Sequence, residues 1–154
     1  MEIAPDDLTG PEVVAFLEAH VAQLRSLGPP ESTHALDLAG LRSPQVRFWS
    51  AYDAGELVGC AALKDLGPGD PGHGELKSMR TAPARVREGI AARVLSHVLD
   101  EARAAGFTRV SLETGASAFF GPAHALYRRH GFVDCEPFGS FRPDPLSIFL
   151  TREL

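Results

Sequence analysis

Residues 81–91 are the first segment whose residue types and spacing could do chemistry. Pro83 ends a strand-like stretch, and Gly89 lies where an amphipathic helix must begin. The first N–H groups of a helix lack partners within it and lie at the positive end of its dipole, so they can bind a phosphate. Arg85 and Arg87 could add positive charge. The alternative is a plain strand-to-helix turn, because one glycine makes neither a dinucleotide fingerprint nor a nucleotide-triphosphate loop.

The second such segment is residues 122–132, which places Tyr127 on a helix that ends near Gly131. A tyrosine hydroxyl can donate a hydrogen bond within a site. A half-buried aromatic that contacts the core is the commoner position of a helical tyrosine. From this segment alone, both interpretations stay open.

The elements that must position these segments follow from the hydrophobic pattern. The strongest helix prediction is 89–105, where Ile90, Val94 and Val98 recur at four-residue steps and Gly106 is the expected stop. Further helices are predicted over 11–27, 32–42 and 118–130. Strands are predicted over 46–53, 56–64, 74–81, 108–114, 132–135 and 147–152.

The order of these elements predicts an α/β fold with a mixed sheet and helices on both faces. Residues 74–114 form a strand–helix–strand unit, which implies a parallel pair with a right-handed crossover. The hairpin before it is antiparallel. At about 100–200 residues per domain, the chain is expected to form a single domain over 1–154.

The composition excludes several classes. Fifteen Lys and Arg against twenty Asp and Glu give a net charge of -5, which argues against nucleic-acid binding. The six histidines show no metal-ligand spacing, so no metal is expected. No apolar run suggests a membrane segment and no leader-like pattern opens the sequence, so a cytoplasmic location is expected.

Taken together, the two segments resemble the GCN5-related N-acetyltransferase (GNAT) family, especially its small bacterial stand-alone members. The matching pieces are residues 79–83, residues 87–91, and residues 125–127 with Gly131 and Phe132. The resemblance implies an acyl-CoA N-acyltransferase fold, in which two adjacent parallel strands splay apart. Here those strands would be 74–81 and 108–114.

The resemblance also implies acetyl-CoA as co-substrate. Backbone groups along Met79, Arg80 and Thr81 would pair with the pantetheine amides, as a peptide adds to a sheet edge. The pyrophosphate would bind the backbone N–H groups of Arg87, Glu88, Gly89, Ile90, Ala91 and Ala92. Two positions depart from the family pattern. Val86 replaces the usual Arg or Gln, and the Glu88 carboxylate must point away from the phosphates or weaken binding.

Acetyl transfer needs a neutral amine, a polarised carbonyl and a stabilised thiolate. Glu75 and Glu113, near the ends of the two splayed strands, are the candidate bases; the alternative for each is an exposed strand-end carboxylate. By resemblance, Tyr127 would protonate the thiolate. A tyrosine has an ordinary pKa of about 10 and a thiol one of about 8.5. Because proton transfer would then be uphill, we favour Tyr127 as a hydrogen-bond donor to the thiolate.

The acceptor is expected to be a primary amine of a small molecule or a peptide, held between residues 28–42 and residues 136–147. His34 and Phe138 are candidate contacts there, and Arg142 could bind a carboxylate. Acidic residues would instead suit a polyamine or an aminoglycoside.

Two further expectations complete the sequence-based account. The competing function is a CoA- or ligand-binding module with the same fold and no turnover. Strand 147–152 is expected at a sheet edge, where a homodimer could form.

Overall fold

The computed structural model describes residues 1–27 and 37–154. Four α-helices are present in these ranges: α1 (Pro11–Arg25), α2 (Leu38–Leu41), α3 (Ile90–Ala104) and α4 (Gly121–Arg129). Seven strands accompany them: β1 (Glu2–Pro5), β2 (Val46–Asp53), β3 (Glu56–Asp65), β4 (His73–Thr81), β5 (Arg109–Gly115), β6 (Val133–Asp134) and β7 (Ser147–Glu153). Short 3₁₀ turns at Pro83–Arg85 and Ala118–Phe120 precede α3 and α4.

The strands form one mixed sheet in the order β1-β2-β3-β4-β5-β7-β6. All neighbours are antiparallel except β4 and β5, which are parallel. The α/β class, the mixed sheet and the parallel pair are therefore as the sequence predicted. α3 connects the parallel pair, as the strand–helix–strand pattern required.

The edge prediction was wrong. Strand β7 lies between β5 and β6, so the short β6 and the N-terminal β1 are the outer strands of the described sheet. The reason is that β7 pairs with β5 on one side and with β6 on the other, where Val133 lies opposite Thr151 and Asp134 opposite Leu150. A homodimer built on an edge at residues 147–152 stays a prediction, now without the edge position that suggested it.

Each face of the sheet packs against its own helices. α3 and α4 cover one face, where Val94, Leu95 and Val98 of α3 pack on β3, β4 and β5. α1 and α2 cover the other face, where Val13 and Leu17 pack on Phe48, Cys60 and other apolar residues. We call these the α3 face and the α1 face. Alternation along each strand decides which side chain faces which layer.

Candidate active site

A gap opens between β4 and β5 because their pairing is short. The two strands pair only from His73 opposite Arg109 to Glu75 opposite Ser111. Beyond that point β4 stays on β3 and β5 stays on β7. Parallel strands that part in this way leave backbone N–H and C=O groups along both inner edges without a strand partner. Such edges can pair with an extended ligand.

A β-bulge in β4 re-aims the backbone beside the gap. The register between β3 and β4 shifts between Cys60 and Ala62, and Ser78 adopts a left-handed conformation at φ 55. The buried Cys60 thiol donates a hydrogen bond to the Ser78 carbonyl at 3.3 Å, which helps to hold the bulge. A bulge of this kind turns neighbouring groups in new directions, and bulges are common beside active sites.

The edge of β4 presents the backbone groups that the sequence singled out. The N–H of Ala82 donates to the Val58 carbonyl on β3 at 2.9 Å. Because successive N–H groups of a strand point to opposite sides, those of Met79 and Thr81 point away from β3, towards the gap. The side chain of Met79 packs against the core of the α3 face.

The start of α3 has the features of an anion-binding turn. Arg87 and Gly89 both adopt left-handed conformations, at φ 68 and φ 81. No side chain caps the helix, so the N–H groups of Ile90, Ala91 and Ala92 in its first turn have no partner from within the helix. A Cβ at Gly89 would meet no atom within 4 Å, so the space above this turn is open. The side chain of Arg87 is exposed beside it.

The Glu88 carboxylate is held away from this turn. Arg85 Nε lies 3.0 Å from both Glu88 carboxylate oxygens, and Arg85 Nη2 donates to Asp53 at 2.6 Å. The neighbouring arginine lowers the pKa of the Asp53 carboxyl. Arg85 therefore serves as the partner of two carboxylates rather than as a spare phosphate-binding cation.

Tyr127 lies on the α3 face, near the end of β5. One turn earlier on α4, His124 Nε2 donates to the carbonyl of Gly115 at 2.7 Å, which ties this face of the helix to the last residue of β5. Tyr127 is 8% exposed and packs edge-on against Phe132. Its hydroxyl makes no hydrogen bond to a described residue. Burial raises the pKa of Tyr127 to about 12.

The two candidate bases lie on the opposite, α1 face. Leu76 and Leu112 belong to the core of the α3 face, so their neighbours Glu75 and Glu113 point the other way. Glu75 is buried, and Glu113 accepts a hydrogen bond from the Ser147 hydroxyl at 3.1 Å. Tyr127 and the two carboxylates are therefore separated by the sheet itself, at the place where the sheet is split.

An aromatic cluster flanks the carboxylates on the α1 face. Phe138 lies 5.3 Å from Phe141 and 6.1 Å from Phe149, ring centre to ring centre. Phe149 is the β7 residue opposite Glu113. Arg142, between these aromatics in the chain, is exposed. His34 lies outside the described residues.

Two polar groupings on this face were not predicted from the sequence. His73 bridges Asp70 and Ser111, with both distances at 2.6 Å, at the point where β4 and β5 are still paired. Arg80 contacts three residues of α1, namely Phe16, His20 and Gln23. The contact of His73 with Ser111 and the contacts of Arg80 with α1 join residues far apart in the chain, so no local spacing could have revealed them.

The described residues contain neither a group of metal ligands nor a membrane-spanning helix. Within residues 1–27 and 37–154, no group of three or more His, Cys, Asp or Glu side chains is arranged to hold a metal ion. In the same ranges, no helix combines the length and the apolarity needed to cross a bilayer.

Comparison with known proteins identifies a common family. The model of the acetyltransferase (GNAT) family matches residues 13–132. The chain is 49% identical to the uncharacterized N-acetyltransferase YsnE of Bacillus subtilis (strain 168), over 154 residues that cover 100% of both chains. It is 42% identical over 142 residues to the IAA acetyltransferase of Azospirillum brasilense, covering 92% of this chain and 90% of the relative.

A solved structure has the same architecture. It is described provisionally as an acyl-CoA N-acyltransferase from Klebsiella pneumoniae subsp. pneumoniae MGH 78578. The TM-score is 0.80 at 27% sequence identity, and the match covers 99% of this chain and 97% of the other.

Proposed function

Since the chain belongs to the acetyltransferase (GNAT) family, we propose that it moves the acetyl group of acetyl-CoA to a primary amine by direct attack in a ternary complex. Acetyltransferase activity follows from the family, whose donor is acetyl-CoA or another acyl-CoA. The choice of acetyl-CoA, the amine acceptor and the residues that act are our proposal.

The observation that carries this proposal is the gap between β4 and β5 with different groups on its two faces. Transfer to an amine requires that a proton leave the nucleophile and that negative charge on the departing sulfur be stabilised. Glu75 and Glu113 lie on the α1 face, and Tyr127 lies on the α3 face. An acceptor that approaches from the α1 face would meet the carboxylates, and the sulfur would lie near the tyrosine.

The residues around the gap fit acetyl-CoA. Bound there, acetyl-CoA supplies an acyl group activated as a thioester. The edge groups of Met79 and Thr81 suit the amides of an extended pantetheine chain. The first turn of α3, from Arg87 to Ala92, offers N–H groups and the positive end of the helix dipole to a pyrophosphate. The pairing of Glu88 with Arg85 removes the main electrostatic objection to a phosphate at this turn.

The bulge at Ser78 supports a role for backbone groups in polarising the reacting carbonyl. A preorganised N–H donor aimed at a developing oxyanion is worth about 3 kcal/mol. The N–H of Met79 follows the bulge and points to the gap side of β4. We assign this N–H the role of polarising the reacting carbonyl.

His124 is a further candidate for contact with the pantetheine. Its Nε2 faces a carbonyl oxygen and therefore carries the proton. Nδ1 is the ring nitrogen that remains for a contact with the pantetheine.

The test is release of free thiol from acetyl-CoA in the presence of mixed primary amines. We expect amine-dependent release in the wild-type protein and at least ten-fold slower release in Tyr127→Phe. Binding of acetyl-CoA without release with any amine would favour the ligand-binding module instead. A faster reaction with another acyl-CoA would change the donor but not the reaction class.

A further inference from the structure

One arginine side chain lies on the α1 face beside the gap. Arg80 is paired with Cys60 of β3, whose side chain belongs to the core beneath α1. Met79, the residue before it, packs into the core of the α3 face. The Arg80 guanidinium therefore lies on the face proposed for the acceptor, away from the first turn of α3.

Helix α1 holds this guanidinium by a single nitrogen. Arg80 Nη1 donates to Gln23 Oε1 at 3.1 Å and lies 3.2 Å from His20 Nδ1, while Arg80 Cζ sits 5.1 Å from the centre of the Phe16 ring. An arginine can only donate, so His20 must accept through an unprotonated Nδ1. Burial, together with the charge of Arg80, lowers the pKa of His20 to about 4, so the ring is neutral at physiological pH.

The opposite edge of the guanidinium lacks a partner among the described residues. Arg80 Nε is buried without a hydrogen bond. The hydrogen bonds of this side chain to residues 1–27 and 37–154 run through Nη1, so Nη2 has no partner in those ranges. No carboxylate in those ranges forms an ion pair with Arg80. In Arg85, the same Nε and Nη2 edge binds the carboxylates of Glu88 and Asp53. This edge is the one that binds a carboxylate with two parallel hydrogen bonds.

The surrounding charges suggest which ligand would use that edge. Lys77 also lies on the α1 face, since it is paired with Ala62 of the α1-face core. Two cations on β4 disfavour a second cationic group of a polyamine at this place. Glu75 and Glu113, on the same face, suit the amino end of the same ligand.

We propose that Arg80 binds a carboxylate of the acceptor, and that the acceptors are therefore small amines that also carry a carboxylate, such as amino acids. This inference rests on the proposed function and specifies the substrate class of the same site. Arg142, the arginine that sequence reasoning offered for this role, is exposed, whereas Arg80 is fixed in place by α1.

The test compares acceptors that differ only in the carboxylate: phenylalanine with phenethylamine, and lysine with cadaverine. For the wild-type protein we expect kcat/KM to be at least ten-fold higher for the acid of one or both pairs, as a charge-assisted pair of hydrogen bonds would give. Arg80→Gln should abolish that ratio through the KM of the acceptor, with the KM of acetyl-CoA unchanged. Arg47→Gln, at an exposed position on β2, is the matched control and should keep the ratio.

A second readout does not need turnover. Phenylpropionate, which has the carboxylate but no amine, should compete with the acceptor in the wild-type protein and in Arg47→Gln, but not in Arg80→Gln. Equal use of both members of each pair, or a ratio that persists in Arg80→Gln, would overturn the proposal. So would a non-additive loss of stability in Arg80→Gln combined with Glu31→Gln, because Glu31, a carboxylate outside the described residues, would then be an internal partner. If no amine releases thiol, the proposed function fails and this inference falls with it.

Discussion

The Tyr127 hydroxyl is a weak acid in this fold, and that decides how it can act. Burial raises its pKa to about 12, whereas an ordinary thiol has a pKa of about 8.5. Full proton transfer to a thiolate of ordinary pKa would therefore be uphill by several kcal/mol. A hydrogen bond to the thiolate avoids that cost. We therefore infer that Tyr127 stabilises the leaving group as a donor.

Removal of this hydroxyl should slow the chemistry without unfolding the protein. We expect Tyr127→Phe to lower kcat at least ten-fold, because the phenyl ring keeps the contact with Phe132 and loses only the donor. Steady-state kinetics and thermal unfolding measure the two effects. Because the raised pKa keeps the hydroxyl protonated, wild-type kcat should show no loss from this group up to about pH 10. An unchanged kcat in the variant would remove Tyr127 from the mechanism.

The two carboxylates on the α1 face can be separated by matched substitutions. If Glu113 is the base, Glu113→Gln should lower kcat about 10²-fold, the lower end of general-base effects, and Glu75→Gln should have a much smaller effect. The reverse order would assign the base to Glu75. Equal, small effects would indicate that solvent water takes the proton. The pH dependence of kcat/KM in each variant is the deciding measurement.

At the scale of elements, the first turn of α3 is the feature to test. Gly89 and Gly55 have similar left-handed conformations, at φ 81 and φ 82, and a methyl group at either would meet no atom within 4 Å. Each substitution to alanine should therefore cost a similar amount of stability, about 1 kcal/mol. Only Gly89→Ala should weaken acetyl-CoA binding, by ten-fold or more, because its methyl group enters the space above the uncapped turn. Calorimetric titration of both variants makes the comparison, and equal affinities would contradict an anion site at α3.

The placement of α3 on the sheet also depends on a small residue. A Cβ on Gly59 of β3 would lie 3.2 Å from Ile90 Cγ2 and 3.2 Å from the Arg80 carbonyl. The first turn of α3 therefore approaches β3 closely because this position has no side chain. The sequence marked Gly89 and Ile90 but gave no reason to connect them with Gly59.

Many elements were predictable because their signals are local. The spacing of apolar residues over 89–105 and the stop at Gly106 predict α3, and the turn at residues 53–55 predicts the β2–β3 hairpin. Strand β1 was missed, since four residues carry no alternation that can be recognised. The predicted position of β7 was wrong because the pattern of residues along a strand does not encode its neighbours in the sheet. The left-handed conformation of Arg87 and the bulge at Ser78 were not predicted, because neither residue is a glycine.

The candidate site divides in the same way. The turn at residues 87–92 and Tyr127 were singled out from residue type and spacing. Their roles, and the choice of the two carboxylates on the splayed strands, came from the resemblance to the GNAT family and remain predictions. The separation of Tyr127 from Glu75 and Glu113 by the sheet followed only from the registers of β4 and β5. The ion pair of Arg85 with Glu88 and the contacts of Arg80 with α1 depend on side-chain packing, so they could not be predicted from residue type and spacing.

For the molecule as a whole, His20 should make stability depend on pH. Burial lowers its pKa from 6.5 to about 4, so the unfolded chain binds a proton in this window that the folded chain does not. The stability linked to neutral His20 is present above pH 6.5 and is lost as pH falls towards 4. Urea unfolding at several pH values should show His20→Gln with a shallower decline than the wild-type protein. An identical decline in both would exclude His20 as its source.

The central claim is that the gap between β4 and β5, together with the first turn of α3, binds acetyl-CoA. The most direct test is a calorimetric titration of the pure wild-type protein with acetyl-CoA. We predict binding at one site per chain with micromolar affinity. No binding at millimolar ligand would contradict the account, because the turn at residues 87–92 would then not hold a pyrophosphate.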